Sequence, residues 1–114
     1  MTGMDRSQLL RGTLDAAVLA TVAEQDGYGY DVLRRLRASG LVDVGDASVY
    51  GTLRRLYKAG ALTSYVVPSE EGPHRRYYGI TEHGQALLQE ARTAWTDFSR
   101  TLDLLLGLTL EVAT

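Results

Sequence analysis

Residues 46–78 read DASVYGTLRRLYKAGALTSYVVPSEEGPHRRYY, and the reading of this stretch decides the fold. Its first part has the pattern of an amphipathic helix over about residues 46–59. Val49, Leu53 and Leu56 recur at i, i+4 and i+7 and turn inward, while Ser48, Gly51, Thr52, Arg55 and Lys58 lie roughly opposite. An Asp near position 46 can cap the first turn by accepting from a free backbone N–H, and Gly60 ends the helix. Residues 62–67 are rich in β-formers and stop at Pro68, and residues 76–80 read as the return strand. Between them a loop holds Gly72-Pro73 and a basic tip, His74-Arg75-Arg76. A helix followed by a basic hairpin is the anatomy of a winged helix-turn-helix. The helix suits a DNA major groove, and the hairpin reaches along the phosphates.

Working outward, residues 29–39 form the preceding helix, with Val32, Leu33 and Leu36 inside, Arg34, Arg35 and Arg37 outside, and Gly40 as its close. Residues 5–24 predict a first helix. Its buried stripe is Leu10, Leu14, Ala17, Val18 and Val22, with Gly12 a candidate break near its start. Residues 25–27 signal a stop and turn. Thr81 opens a last helix to about residue 106, on which Leu88, Ala91, Trp95, Phe98, Leu102 and Leu105 alternate steps of three and four. That is a coiled-coil seam over about three heptads. The fold class is therefore mainly α with a small β-hairpin, divided as residues 1–80 for the winged unit and 81–114 for a dimerisation helix.

A chain of 114 residues with 45% hydrophobic residues is one globular unit with a modest core. The absence of cysteine removes disulfides, thiolate zinc sites and cysteine nucleophiles, and is compatible with a reducing cytoplasm. No apolar run of membrane-spanning length and no secretory signal pattern is present. The net charge is −2, but its distribution matters more. Residues 1–27 carry −2, residues 28–80 carry +3 and residues 81–114 carry −3. Charge concentrated on one face, not the total, sets phosphate affinity.

The candidate DNA contacts are Ser48, Tyr50, Thr52, Arg55 and Lys58 on the helix and His74, Arg75 and Arg76 on the wing. Small and polar groups near a recognition helix's N-terminus meet base edges, and arginines on a flexible tip clamp phosphates. Each signal has a plainer reading as a solvated surface. Glu70 and Glu71 on the wing loop, with the negative total, keep open a protein-interaction module that binds an acidic partner instead. Gly51 inside a helix costs about 1 kcal/mol relative to Ala, which close approach to another backbone would justify. The terminal seam cannot bury Trp95, Phe98, Leu102 and Leu105 alone, so a two-fold dimer is expected, with Leu10, Leu14 and Leu88 contributing. Two copies of Trp95 near the axis, with Phe98, would frame a slot for a flat aromatic compound, unless they are simply interface core. His74 and His83 have no metal-ligand spacing, and Gly27-Tyr28-Gly29 is no dinucleotide fingerprint. No nucleophile elbow is present, so neither catalytic residue, metal nor cofactor is assigned.

The segments RGTLD (11–15), GYDV (29–32), ASVYGTLRRL (47–56), GAL (60–62) and GPHRRYYGITEHG (72–84) together resemble the PadR family of bacterial transcriptional regulators. The resemblance covers about residues 8–107 and is closest to the short subfamily with one C-terminal helix. It implies a cytoplasmic winged-helix homodimer that binds a near-palindromic double-stranded DNA operator and usually represses. It implies that Tyr50 contacts the DNA backbone, that Ser48 and Thr52 face the groove, and that Arg75 and Arg76 hold phosphates or the minor groove. Some short members bind planar aromatic compounds at the position matching Trp95, which makes a planar aromatic or other small-molecule effector a candidate partner here, although members differ in what they sense. Two positions depart from the pattern: Gly51 stands where proline is usual, and Gly45 where serine is frequent, which moves the expected cap to Asp46.

Overall fold

The computed structural model describes residues 6–108. In chain order these form α1 (Arg6–Leu10), α2 (Leu14–Glu24), β1 (Gly27–Tyr28), α3 (Gly29–Ala38), α4 (Asp46–Lys58), β2 (Leu62–Val67), β3 (Arg75–Ile80) and α5 (Glu82–Leu105). Val18, Leu19 and Val22 of α2 meet Val32, Leu33 and Leu36 of α3 and Val49, Leu53 and Leu56 of α4 in one core. Val44, Ala61, Leu62 and Leu88 complete it. The inward stripes predicted for α3 and α4 are thus the buried ones.

The first helix breaks at Gly12, the position the sequence marks as a candidate break. The expected start at residue 5 lies outside the described residues, and the run is broken into α1 and α2. Gly12 takes φ 88° at the break, a left-handed conformation that ends the first segment. The Thr13 hydroxyl lies 3.1 Å from both the Leu9 and Leu10 carbonyls, and the Thr13 N–H also donates to the Leu10 carbonyl at 3.0 Å, so the break is bridged.

The sheet has three strands in the order β1-β3-β2, all antiparallel. Leu62 lies opposite Ile80, and Val67 opposite Arg75. β1 is not expected from the sequence, which marks Gly27 as part of a turn and gives Tyr28 no strand. Its two residues pair with Tyr77 and Tyr78, and two residues are too few to show a period of two. β3 begins at Arg75, one residue earlier than expected.

At α4 the N-cap is Gly45, with no side-chain cap bond. The Asp46 carboxylate instead takes the Arg37 guanidinium at 3.1 Å, so its charge is used between helices. A Cβ on Gly51 would meet nothing within 4 Å, so close backbone approach does not account for this glycine.

Thr81 caps α5, accepting from the Gly84 N–H at 3.0 Å. A Cβ on Gly84 would lie 2.1 Å from the Ala61 carbonyl oxygen, so only glycine lets the helix start against the β2 strand. The first turns of α5 pack on α2, with Gly84 and Leu88 buried. Leu88, expected at the dimer seam, therefore belongs to the protomer core. Leu10 and Leu14 are half-buried against that core. Beyond Ala91 the helix runs largely clear of the body, and Trp95 (55%), Phe98 (57%) and Leu105 (76%) stay exposed.

Gly84→Ala is expected to destabilise by roughly 1–3 kcal/mol or more, because the backbone oxygen it meets cannot rotate away. Gly51→Ala is expected to stabilise by about 1 kcal/mol, through helix propensity with no clash. Urea midpoints at constant m-value measure both.

Candidate nucleic-acid interface

The basic block of the sequence separates into two populations. Arg35 is only 18% exposed; its guanidinium donates to the Thr21 carbonyl (2.6 Å) and the Gln25 carbonyl (3.0 Å) and pairs with Asp31 at 3.3 Å. It therefore caps the C-terminus of α2, where a cation also complements the helix dipole. Arg37 donates twice to the Val44 carbonyl and fixes the segment entering α4. Arg34 pairs with Asp31. Arg55 forms a two-pronged pair with Asp15 of α2, at 2.7 and 2.9 Å, which raises its pKa chiefly through the hydrogen bond to that carboxylate.

Arg54, Lys58, Arg75 and Arg76 have no carboxylate partner among the described residues. Arg54, Arg75 and Arg76 border a single hollow of about 350 Å³ between α4 and the sheet, together with Tyr50, Tyr28 and Tyr30. Tyr50 is held there by the backbone it lies on: a Cβ on Gly29 would come 2.7 Å from its ring. The two wing arginines have different supports. The Arg75 guanidinium lies 4.5 Å from the centre of the Tyr28 ring, a cation–π arrangement. Arg76 donates to the Ser64 hydroxyl at 2.7 Å. His74 is exposed at the tip.

Other expected contacts are placed differently. Ser48 is exposed, but Thr52, one turn on, is 4% exposed. Its side chain turns toward the body because it stands three residues after Val49 and four before Leu56, on the border of the buried stripe. Arg55 is accessible but already neutralised. Arg54, Tyr28 and Tyr30 were absent from the expected set. The signal for Arg54 was its place beside Arg55, whereas Tyr28 enters only through the β1 pairing.

On the outer face of the sheet Tyr28, Tyr77 and Tyr65 form a row, with ring centres 5.4 and 5.8 Å apart. The Tyr65 hydroxyl donates to the Asp26 carboxylate at 2.5 Å, and this bond holds its pKa above the ordinary 10.0. At the other end of the molecule Trp95 and Phe98 lie 6.4 Å apart at 51°. Trp95 also closes an apolar recess of about 320 Å³ with Leu9, Leu10, Thr13 and Leu41. Among the described residues no group of acidic and histidine side chains could hold a metal, and no helix is long and apolar enough to cross a membrane.

Three helices around a small sheet, with α4 and a cationic hairpin edging one hollow, define a winged-helix DNA-binding protein. Residues 18–90 match the transcriptional regulator PadR-like family, and the chain belongs to it. It is accordingly a DNA-binding transcriptional regulator and not an enzyme. A Lysinibacillus sphaericus protein described only as uncharacterized protein X is 32% identical over 103 residues, 89% of this chain and 94% of that one. A PadR-like transcriptional regulator of Bacillus cereus superposes with TM-score 0.77 at 32% identity, over 87% of this chain and 96% of that one. A PadR family regulator of Eggerthella lenta gives TM-score 0.81 at 28% identity, over 91% and 90%.

Asp26→Asn is expected to bring the Tyr65 phenol down toward 10.0. The bond needs the neutral phenol, so its contribution is complete below the unfolded pKa and is lost as pH rises through the higher folded value. Phenolate absorbance, read as a difference from Tyr65→Phe, follows the shift.

Proposed function

We propose that the chain acts as a homodimer that represses transcription from a near-palindromic operator and is released by a small planar aromatic effector. The observation that carries this reading is the shared hollow of Tyr50 and Arg54 on α4 with Arg75 and Arg76 on the wing. A duplex lying across it would receive α4 in a major groove and the wing on the flanking phosphates. Ser48 and Tyr50 would meet base edges and backbone; Arg54, Lys58, His74, Arg75 and Arg76 would meet phosphates. Thr52 would serve packing, and Arg55 would act only through Asp15.

The part of α5 beyond Ala91 would pair two copies. The exposed Trp95, Phe98 and Leu105 make an apolar face larger than scattered surface residues explain, and Leu102 lies on the same seam. α1 would add Leu9 and Leu10. A two-fold axis through this face would set the two α4 helices about 10 base pairs apart, or a multiple of that. An aromatic compound wedged beside Trp95 and Phe98 would favour one angle between the terminal helices and so change operator affinity. Trp95 is the single tryptophan, so its fluorescence reports occupancy directly.

Gel retardation on the region upstream of the protein's own gene tests the interface. Arg75→Ala is expected to weaken binding on all sequences alike and to flatten the slope of log K against log salt by about 0.9. Ser48→Ala is expected to change the preferred sequence instead. Retardation insensitive to salt, or to Arg75, would refute the assignment. Phe98→Glu is expected to turn a dimer into a monomer by light scattering, and a wild-type monomer at micromolar concentration would refute the pairing.

A further inference from the structure

We infer that Asp15 is a specificity-determining residue: it neutralises Arg55 on the recognition helix and so withholds one cation from indiscriminate contact with phosphates. The inference rests on the placement of α4 proposed above and deepens it.

Arg55 stands on the same helix as Ser48 and Tyr50, and its side chain is 60% exposed. In the sequence it looks like a phosphate contact equal to Lys58. In the structure its two terminal nitrogens lie 2.7 and 2.9 Å from the two oxygens of Asp15, which is 47% exposed. This is the parallel two-bond geometry that a guanidinium otherwise offers a phosphate. The end-on face of the guanidinium is therefore occupied, and only its remaining N–H donors are left for a phosphate. Asp15 comes from α2, a different element 40 positions away in the chain, so the pair is a tertiary contact and not a helical i, i+4 pair.

The pair borders a hollow of about 620 Å³ on which Ser48, Ala47 and Gly51 also open, so it faces the same space as the N-terminal half of α4. Arg11 and Asp43 line that hollow as well. As a unit the pair has no net charge. Phosphate contact by Arg55 would leave the Asp15 carboxylate uncovered beside the duplex. Nonspecific binding depends almost wholly on phosphate contacts, whereas operator binding also draws on base contacts. On a nonspecific duplex the protein can shift until a phosphate meets Arg55, whereas base contacts fix its register on the operator, so neutralising this cation lowers the first more than the second and the ratio between them rises. Arg54, the adjacent residue, has no such partner and remains available.

The test is a double-mutant cycle with Asp15→Asn and Arg55→Gln. Binding is measured between 50 and 200 mM salt on the upstream fragment and on a scrambled duplex of equal composition. Asp15→Asn is expected to steepen the salt slope on the scrambled duplex by about 0.9, equivalent to roughly a 3.5-fold greater loss across that range. Its discrimination between the two duplexes should fall. In the Arg55→Gln background the same change should produce less than half of that steepening.

Equal steepening in both backgrounds would overturn the inference, because Asp15 would then act as bulk charge. So would a flattening of about 0.9 by Arg55→Gln with no effect of Asp15→Asn, because Arg55 would then already contact phosphate. Should Asp15→Asn fail to fold, Asp15→Ser removes the same charge and takes its place. Wild-type protein that binds neither duplex would sink the proposed interface itself. Wild-type binding with an additive cycle sinks only the role of Asp15.

Discussion

The structure turns on a junction of a few backbone atoms where α4, β2, β3 and α5 meet. The Thr81 hydroxyl donates to the Gly60 carbonyl at 2.7 Å and accepts from the Gly84 N–H, while the Thr81 N–H donates to the Ala61 carbonyl at 3.1 Å. Gly84 has no side chain to hold these atoms apart. The end of α4, the end of β3 and the start of α5 are thereby fixed to one another. Hydrogen bonds, not a flexible linker, join the start of α5 to the end of α4. The proposed regulator would need this coupling, because its DNA-contacting helix and its pairing face would lie on different elements.

Positive charge in the middle of the chain serves two purposes that composition cannot separate. Arg35 and Arg37 hold α3 to its neighbours through Asp46 and backbone carbonyls, while Arg34 pairs with Asp31 within α3 itself. Their contribution is to the assembly of the helix-turn-helix, not to its surface potential. The wing arginines are supported by neutral partners, a tyrosine ring and a serine hydroxyl, which position a guanidinium without cancelling its charge. A protein with a negative total can in this way present a cationic face.

Much of this was legible in the sequence. The helical stripes of α3 and α4 were readable because each buries one face, and the hairpin because Pro68 and the Gly72-Pro73 pair punctuate it. The matching segments of a known family made the class plain. What was not legible was tertiary. The pairing of Gly27 and Tyr28 with β3 depends on a partner 50 residues away. Thr52 and Arg55 sit on helical positions whose surroundings are set by α2, so a helical wheel alone puts both on the free side. Leu88 keeps perfect heptad spacing with Trp95 and Leu102, and periodicity cannot tell which stretch of a seam its own body already covers.

The strand order leaves β2 with one side of its backbone unpaired, and Val66 and Val67 are exposed along it. Such an open border invites another copy to add a strand and start an aggregate. The six-residue length, the proline that halts it and the two glutamates just beyond make that addition unfavourable. Glu70 and Glu71, which work against phosphate contact, thus help to keep the protein from polymerising through its own sheet.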